Sequence, residues 1–220
     1  MTDSGDVRLP LLGETLWLLP ERAIYWEERS TLLVADAHWG KAATFRASGI
    51  FVPAGTTGGG LQRLTGALLR TEARSIVFLG DFLHARAGRA PATLDALRAW
   101  RWRHRDVAML LVRGNHDREA GDPPPELDID CADGPLHEGP FTLSHHPLRS
   151  PERYGLAGHV HPALRLSGPA RERQRLPCFW FADRGAILPA FGEFTGSADI
   201  SPAPHHRVFV VAGDAVIEIR

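Results

Sequence analysis

Residues 75–84 read Ser-Ile-Val-Phe-Leu-Gly-Asp-Phe-Leu-His, an apolar, β-branched run that breaks abruptly into Gly80, Asp81 and His84. A run this short, bounded by a turn residue, predicts a strand buried on both faces. Such a strand delivers its C-terminal residues to the rim of the sheet, where α/β folds hold their ligands. The same break recurs four times. Residues 31–35 run into Asp36-Ala37-His38, 107–112 into Gly114-Asn115-His116-Asp117, 141–144 into His145-His146-Pro147, and 154–157 into Gly158-His159-Val160-His161-Pro162. Five strand ends bearing Asp, Asn and His can converge on one cleft.

Further strands are predicted at 15–19, 23–26, 178–181, 186–188, 208–211 and 215–219, the last two joined by the hairpin dipeptide Gly213-Asp214. Helical spacing is confined to 56–71, carrying Leu61, Leu64, Leu68 and Leu69, and to 92–105, carrying Leu94, Leu97 and Trp100. The Pro/Gly stretch 121–125 is too short to separate domains and reads as a rigid loop, so one α/β domain over 1–220 is expected, with much antiparallel sheet.

Composition bounds the function classes. The 220 residues carry a net charge of -1, which excludes a strongly basic binding arm. Two cysteines, Cys131 and Cys178, exclude a disulfide framework or a multi-thiolate zinc cluster. No apolar run approaches the roughly 18 residues of a membrane span, and the acidic, polar start does not resemble a signal peptide. A cytoplasmic protein with no membrane partner is expected.

Histidine is the informative residue, because its neutral ring is the commonest metal ligand and a proton carrier near neutral pH. Of eleven histidines, His38, His84, His116, His145, His146, His159 and His161 lie in the strand-end groups, whereas His104, His137, His205 and His206 are scattered. Asp36, His38, Asp81, Asn115, one of His145 or His146, His159 and His161 make a set of N and O donors larger than one ion can use with a position left open for substrate. Two ions sharing a carboxylate are therefore expected. At about 3.5–4 Å apart such ions activate a water and neutralise phosphoryl oxygens during in-line displacement, so phosphate-ester hydrolysis is the chemistry this inventory serves.

The order Asp-x-His, Gly-Asp-x-x-His, Gly-Asn-His-Asp, His, Gly-His-x-His resembles the five-motif signature of the calcineurin-like metallophosphoesterases. Segments 36–51 (DAHWGKAATFRASGIF), 112–125 (VRGNHDREAGDPPP) and 176–196 (LPCFWFADRGAILPAFGEFTG) are similar to one branch, the ligase-associated DNA damage response endonucleases. The resemblance implies a four-layer αββα sandwich of two mixed sheets flanked by helices. It implies one metal on Asp36, His38, Asp81 and His161 and a second on Asp81, Asn115, His145 and His159, with Asp81 bridging and manganese favoured over iron, zinc or cobalt. His116 would protonate the leaving oxygen, and Asp117 would hold its ring through the other nitrogen. The implied activity is cleavage of DNA, single-stranded in particular, alongside an ATP-dependent ligase, a helicase and an exonuclease, and a homodimer is compatible with it. Hydrolysis of small nucleotide esters is the alternative, and a metal-poor partner-binding scaffold is a third reading.

Choosing His145 over His146 rests on that alignment, since strand neighbours point to opposite faces; His146 would then touch substrate. His84 either lines the phosphate pocket or packs beneath the metals. Arg46, more than Lys41, is a candidate for a backbone phosphate. The run Arg98, Arg101, Arg103, His104, Arg105, straddled by Trp100 and Trp102, is either a solvated helix flank or a phosphate track. Phe179, Trp180 and Phe181 are expected to fill the core.

Overall fold

A computed structural model describes residues 5–52, 55–149, 152–167 and 173–219. The first sheet holds seven strands in sequence order: β1 (Val7–Leu11), β2 (Glu14–Leu19), β3 (Ala23–Trp26), β4 (Thr31–Val34), β5 (Ser75–Phe78), β6 (Ala108–Val112) and β7 (Asp130–Ala132). β1 to β4 are antiparallel hairpins. β4 to β7 are parallel. The parallel crossovers are made by helices, α1 (Lys41–Ala47) and α2 (Thr56–Thr71) before β5, α3 (Pro91–Arg103) before β6, and α4 (Asn115–Ala120) before β7. The second sheet comprises β8 (Leu136–Glu138), β9 (Phe141–Ser144), β10 (Tyr154–Ala157), β11 (Pro162–Ser167), β12 (Arg173–Ala182), β13 (Gly185–Ile187), β14 (Ala198–Asp199), β15 (Arg207–Ala212) and β16 (Ala215–Ile219). Its centre, β9, β10 and β13, is parallel, and β12 joins it antiparallel.

Strand alternation explains why the two sheets stack. In β4, Leu32 and Val34 face one cluster with Ile76, Phe78, Met109 and Leu111, covered by Leu61, Leu64 and Leu68 of α2 and Leu97 and Trp100 of α3. Leu33 faces the other way, into the layer between the sheets, with Leu16, Leu18, Ile24 and Trp26 against Phe141, Leu156, Phe179, Phe181 and Phe209. Each such fully buried side chain contributes about 1.5–3 kcal/mol of transfer free energy. The β4 run lacks alternation between polar and apolar residues because both of its faces are core.

The two-sheet α/β sandwich is as expected, with one difference in its outer layers. The helices that pack on a sheet, α2, α3 and α4, all cover the first one. The outer face of the second sheet buries Cys178, Val208 and Val210 beneath Leu164, Leu176 and Ile200, side chains of its own strands and of the segment after β14. The longest fully described connection from β8 onward, 188–197 between β13 and β14, carries Pro189, Gly192 and Gly196 and forms no helix. The helix expected at 56–71 is α2, although Leu69 points to solvent, 71% exposed. α1 and α4 were not foreseeable from periodicity, since they are short and bury only Ala42, or Asp117 and Ala120. No described helix is long and apolar enough to cross a membrane.

Candidate metal centre

Pairing of β4 with β5 sets the first two motifs side by side: the Asp36 N–H donates to the Gly80 carbonyl at 3.3 Å and the His38 N–H to the Asp81 carbonyl at 2.8 Å. Past the strand ends the backbone turns left-handed at Asp36 (φ 54°), His38 (46°), Asp81 (52°), His159 (69°) and His161 (53°). Each such non-glycine residue costs on the order of 1 kcal/mol, and strain of this kind gathers where function requires it. Glycines let the loops close. A Cβ on Gly114 would lie 2.2 Å from Asp81 Oδ1, and one on Gly158 would lie 2.5 Å from Asp36 Oδ2.

The side chains meet in two groups that share Asp81. In the first, His38 Nε2 lies 3.4 Å from His161 Nε2 and 3.7 Å from Asp81 Oδ2, and His161 Nε2 lies 3.5 Å from Asp36 Oδ1. In the second, His145 Nε2 lies 3.4 Å from Asp81 Oδ1, 2.9 Å from Asn115 Oδ1 and 3.1 Å from His159 Nδ1. The remaining nitrogens set the tautomers. His145 Nδ1–H donates to the Leu79 carbonyl at 3.0 Å and His161 Nδ1–H to the Gly196 carbonyl at 2.9 Å, which leaves both Nε2 lone pairs facing the centre.

This donor set fits divalent cations. Asp36 Oδ1 is buried and accepts no hydrogen bond among the described residues, in a cleft where two carboxylates face imidazole lone pairs. A cation is the partner that relieves such an arrangement. Burial, and then the cation of Lys41, push the pKa of His38 down to about 2, so the ring is a neutral donor. Burial raises Asp81, with the Asp36 charge adding to the rise. At His161 burial opposes a charge, but the carboxylate of Asp36, 3.5 Å from Nε2, outweighs burial and raises the pKa.

His116 Nδ1–H donates to the backbone carbonyl of His84 at 2.6 Å, and its Nε2 lies 4.0 Å from Asp81 Oδ2. Asp117 was expected beneath that ring and is elsewhere. Its carboxylate is buried and accepts the backbone N–H groups of Asp81 at 2.7 Å, Phe82 at 2.9 Å, Leu83 at 3.3 Å and Gly114 at 2.9 Å. The physical reason is helical geometry: at the third position of α4 its side chain turns back to cap the first turn, and the His84 carbonyl has already taken the His116 ring nitrogen.

His84 stands between the two possibilities given for it, with Nδ1 3.3 Å from His38 Nδ1 and its ring stacked on His116 at 4.9 Å. Burial, then Lys41, push its pKa down to about 4. His146 is exposed and lies against the His159 ring at 4.1 Å, beside the second group. The Arg46 guanidinium donates to the Val52 carbonyl at 3.4 Å, a loop contact, whereas Lys41 is the basic residue that feels Asp81 and Asp36. The basic run of α3 is structural in part: Arg101 is buried on the Leu127 carbonyl and Asp128, and Trp100 is buried on Thr65. Sequence reasoning missed Gly196, whose carbonyl orients His161, because a backbone acceptor leaves no side-chain signature.

No protein-family profile and no curated protein matches the chain. Among solved structures, nuclease MPE of Pseudomonas putida is 44% identical, covers 97% of this chain and 100% of its own, and has a TM-score of 0.86. The phosphoesterase Yfce of E. coli is 13% identical over 86% of this chain and 97% of its own, with a TM-score of 0.41. The full-length likeness to nuclease MPE leads to one assignment: the chain belongs to the metallophosphoesterase family, in the branch that contains that nuclease.

Proposed function

We propose that the protein is a DNA endonuclease, a metal-dependent phosphodiesterase that cuts single-stranded DNA in a repair system with an ATP-dependent ligase, a helicase and an exonuclease, as a monomer or homodimer. The observation that carries the reading is the division of Asp81, with Oδ2 toward His38 and Oδ1 toward His145. The likeness to nuclease MPE supports DNA as the substrate. Asp36, His38, Asp81 and His161 would hold one ion, and Asp81, Asn115, His145 and His159 a second. Manganese is the favoured ion, and iron, zinc and cobalt suit the same N/O donors. When bound, two divalent ions neutralise the phosphoryl oxygens and make a water acidic enough to attack phosphorus.

The chain supplies the rest. Asn115 contributes a neutral carbonyl oxygen, which limits the negative charge facing an anionic substrate. His116, held through Nδ1 by the His84 carbonyl, presents Nε2 to the cleft; in its protonated form it donates that proton to the leaving oxygen. Asp117 acts at one remove, by fixing the backbone of Asp81. His84 and His146 flank the cleft as candidate contacts to the phosphate, with Arg46 further out on α1. The chain's net charge of -1 does not oppose a DNA substrate, since the bound ions dominate the local field.

The test is a manganese-supplemented assay on circular single-stranded DNA, duplex plasmid and RNA, with Asp81→Ala as control. The reading predicts opening of the single-stranded circle by the wild type and no cleavage by the variant. Turnover of chromogenic phosphate esters with the circle left intact would establish a small-ester hydrolase instead.

A further inference from the structure

A polar pocket of about 220 Å³ opens beside His161, walled by Arg22, Arg175, Phe194, Thr195 and Gly196. Its wall is tied to the candidate metal centre, because the Gly196 carbonyl holds His161 Nδ1 and the Gly192 N–H donates to the Asp36 carbonyl at 3.0 Å. Phe194, Thr195 and Gly196 of that wall belong to the segment 176–196, which resembles the endonuclease branch yet carries no metal-ligating motif.

The cations around this pocket differ in their partners. Arg63 is spent on Glu193 at 3.1 Å, on the Phe191 carbonyl, and on the Phe191 ring at 4.5 Å. Arg175 is bound to Asp199 at 2.5 Å and to the Ser197 carbonyl. The Arg22 guanidinium is half-buried and makes no hydrogen bond or ion pair among the described residues. Burial, and then the neighbouring Arg63 cation, depress its pKa, only partly offset by Glu193. A guanidinium carries five donors in a planar fork, and one left without protein acceptors in a partly buried wall is suited to an oxyanion.

The backbone points the same way. Arg22 sits in the tight turn between β2 and β3 with φ 64°, and Phe194 has φ 58°. Left-handed geometry at bulky residues is uncommon and is retained where the surroundings require it. Phe194 lines the pocket and is 50% exposed, so its side chain is accessible to a ligand there. A cation that binds a phosphate beside an aromatic ring that stacks on a base is how single-stranded nucleic acid is held.

We infer that this pocket is the subsite for the nucleotide next to the scissile phosphodiester, with Arg22 binding its phosphate and Phe194 stacking on its base. The inference rests on the DNA-cleaving reading and adds to it residues that touch substrate away from the metals. Such a subsite favours a strand over a small ester, because only a strand reaches both the metal centre and Arg22.

The experiment measures binding of fluorescein-labelled dT12 to the calcium-loaded protein as a function of salt, together with kcat/KM on the same oligonucleotide and on bis-p-nitrophenyl phosphate with manganese. Arg22→Gln should lower the slope of log K against log salt by about 0.7, the loss of one phosphate contact on a single strand, and Arg22→Lys should restore it. Phe194→Ala should weaken binding roughly tenfold with the salt slope intact, and should abolish quenching of a 2-aminopurine placed at that nucleotide. In both Arg22→Gln and Phe194→Ala the ratio of oligonucleotide to small-ester kcat/KM should fall about tenfold. If Arg22→Gln does not fold, Arg22→Asn, which also removes the cation and suits the left-handed turn, takes its place beside Phe194→Ala. A wild type that cuts DNA while the variants keep its salt slope, quenching and selectivity ratio overturns the subsite alone. A wild type that hydrolyses the small ester but neither binds nor cuts DNA overturns both the subsite and the nuclease reading.

Discussion

The Asp117 carboxylate accepts the backbone N–H of Asp81 at 2.7 Å, so one buried acid holds in place the residue on which both groups of donors converge. Asp117 is paired with four backbone donors across α4 and the loop after β5. Asp117→Ala leaves those donors buried without an acceptor, at about 1–3 kcal/mol for an unsatisfied group. The variant should melt well below wild type and bind less metal even where it remains folded. Wild-type melting and metal content would show that Asp117 is dispensable to the loop.

Two glycine substitutions should act in opposite directions. A Cβ at Gly114 would meet Asp81 Oδ1 and the Asp81 backbone nitrogen, neither free to move without dismantling the centre, whereas a Cβ at Gly58, exposed in α2, meets nothing within 4 Å. Gly114→Ala should lose metal binding and stability together. Gly58→Ala should stabilise by about 0.5–1 kcal/mol, through the lower helix propensity of glycine. Denaturant melts with metal analysis distinguish them, and equal behaviour of the pair would contradict the placement of Gly114.

His161 gives the metal centre a pH dependence of definite sign. Burial lowers its pKa, but Asp36 outweighs burial and raises it above the ordinary value of 6.5. A raised pKa stabilises the metal-free protein below pH 6.5, and that contribution is lost as pH rises through the raised value. Metal must displace this proton, so affinity should weaken as pH falls and uptake near neutrality should release protons. His38, held neutral down to about 2, contributes none. Calorimetric metal titrations in buffers of different ionisation enthalpy should show the release, and His161→Ala should diminish it. Equal heats in all buffers would contradict the assignment.

Much of the site was legible because its signal is chemical and repeated. Metal-competent side chains follow apolar strands, and β4, β5, β6, β9 and β10 carry them to one rim. What was not legible has physical causes. Asp117 lies next to His116 in sequence, but a helical turn sends its side chain to backbone amides, and no residue pattern distinguishes a cap from a ring partner. Leu69 matched the apolar spacing of α2 and faces solvent, since the covering face needs only Leu61, Leu64 and Leu68. β7, β8 and β14 are two or three residues long, below the length at which alternation can be read. Arg22 lies in a turn remote from every motif, and only the fold brings it beside His161.

His116→Ala should retain both metals, because its ring nitrogens face the His84 carbonyl and the cleft and belong to neither donor group. Its rate loss should be about 100-fold or more on poor leaving groups, the range of a lost general acid, and small on p-nitrophenolate. A leaving-group series with metal content measured alongside checks this. Equal losses across the series would remove the acid role.

The central claim is that Asp81 is shared by two metal ions, and metal stoichiometry of Asp81→Ala beside His161→Ala, measured by mass spectrometry on manganese-loaded protein, tests it most directly. The geometry predicts two ions in the wild type, one in His161→Ala, and loss of both with no phosphodiester hydrolysis in Asp81→Ala. Asp81→Ala that keeps an ion and metal-dependent turnover would contradict the bridge.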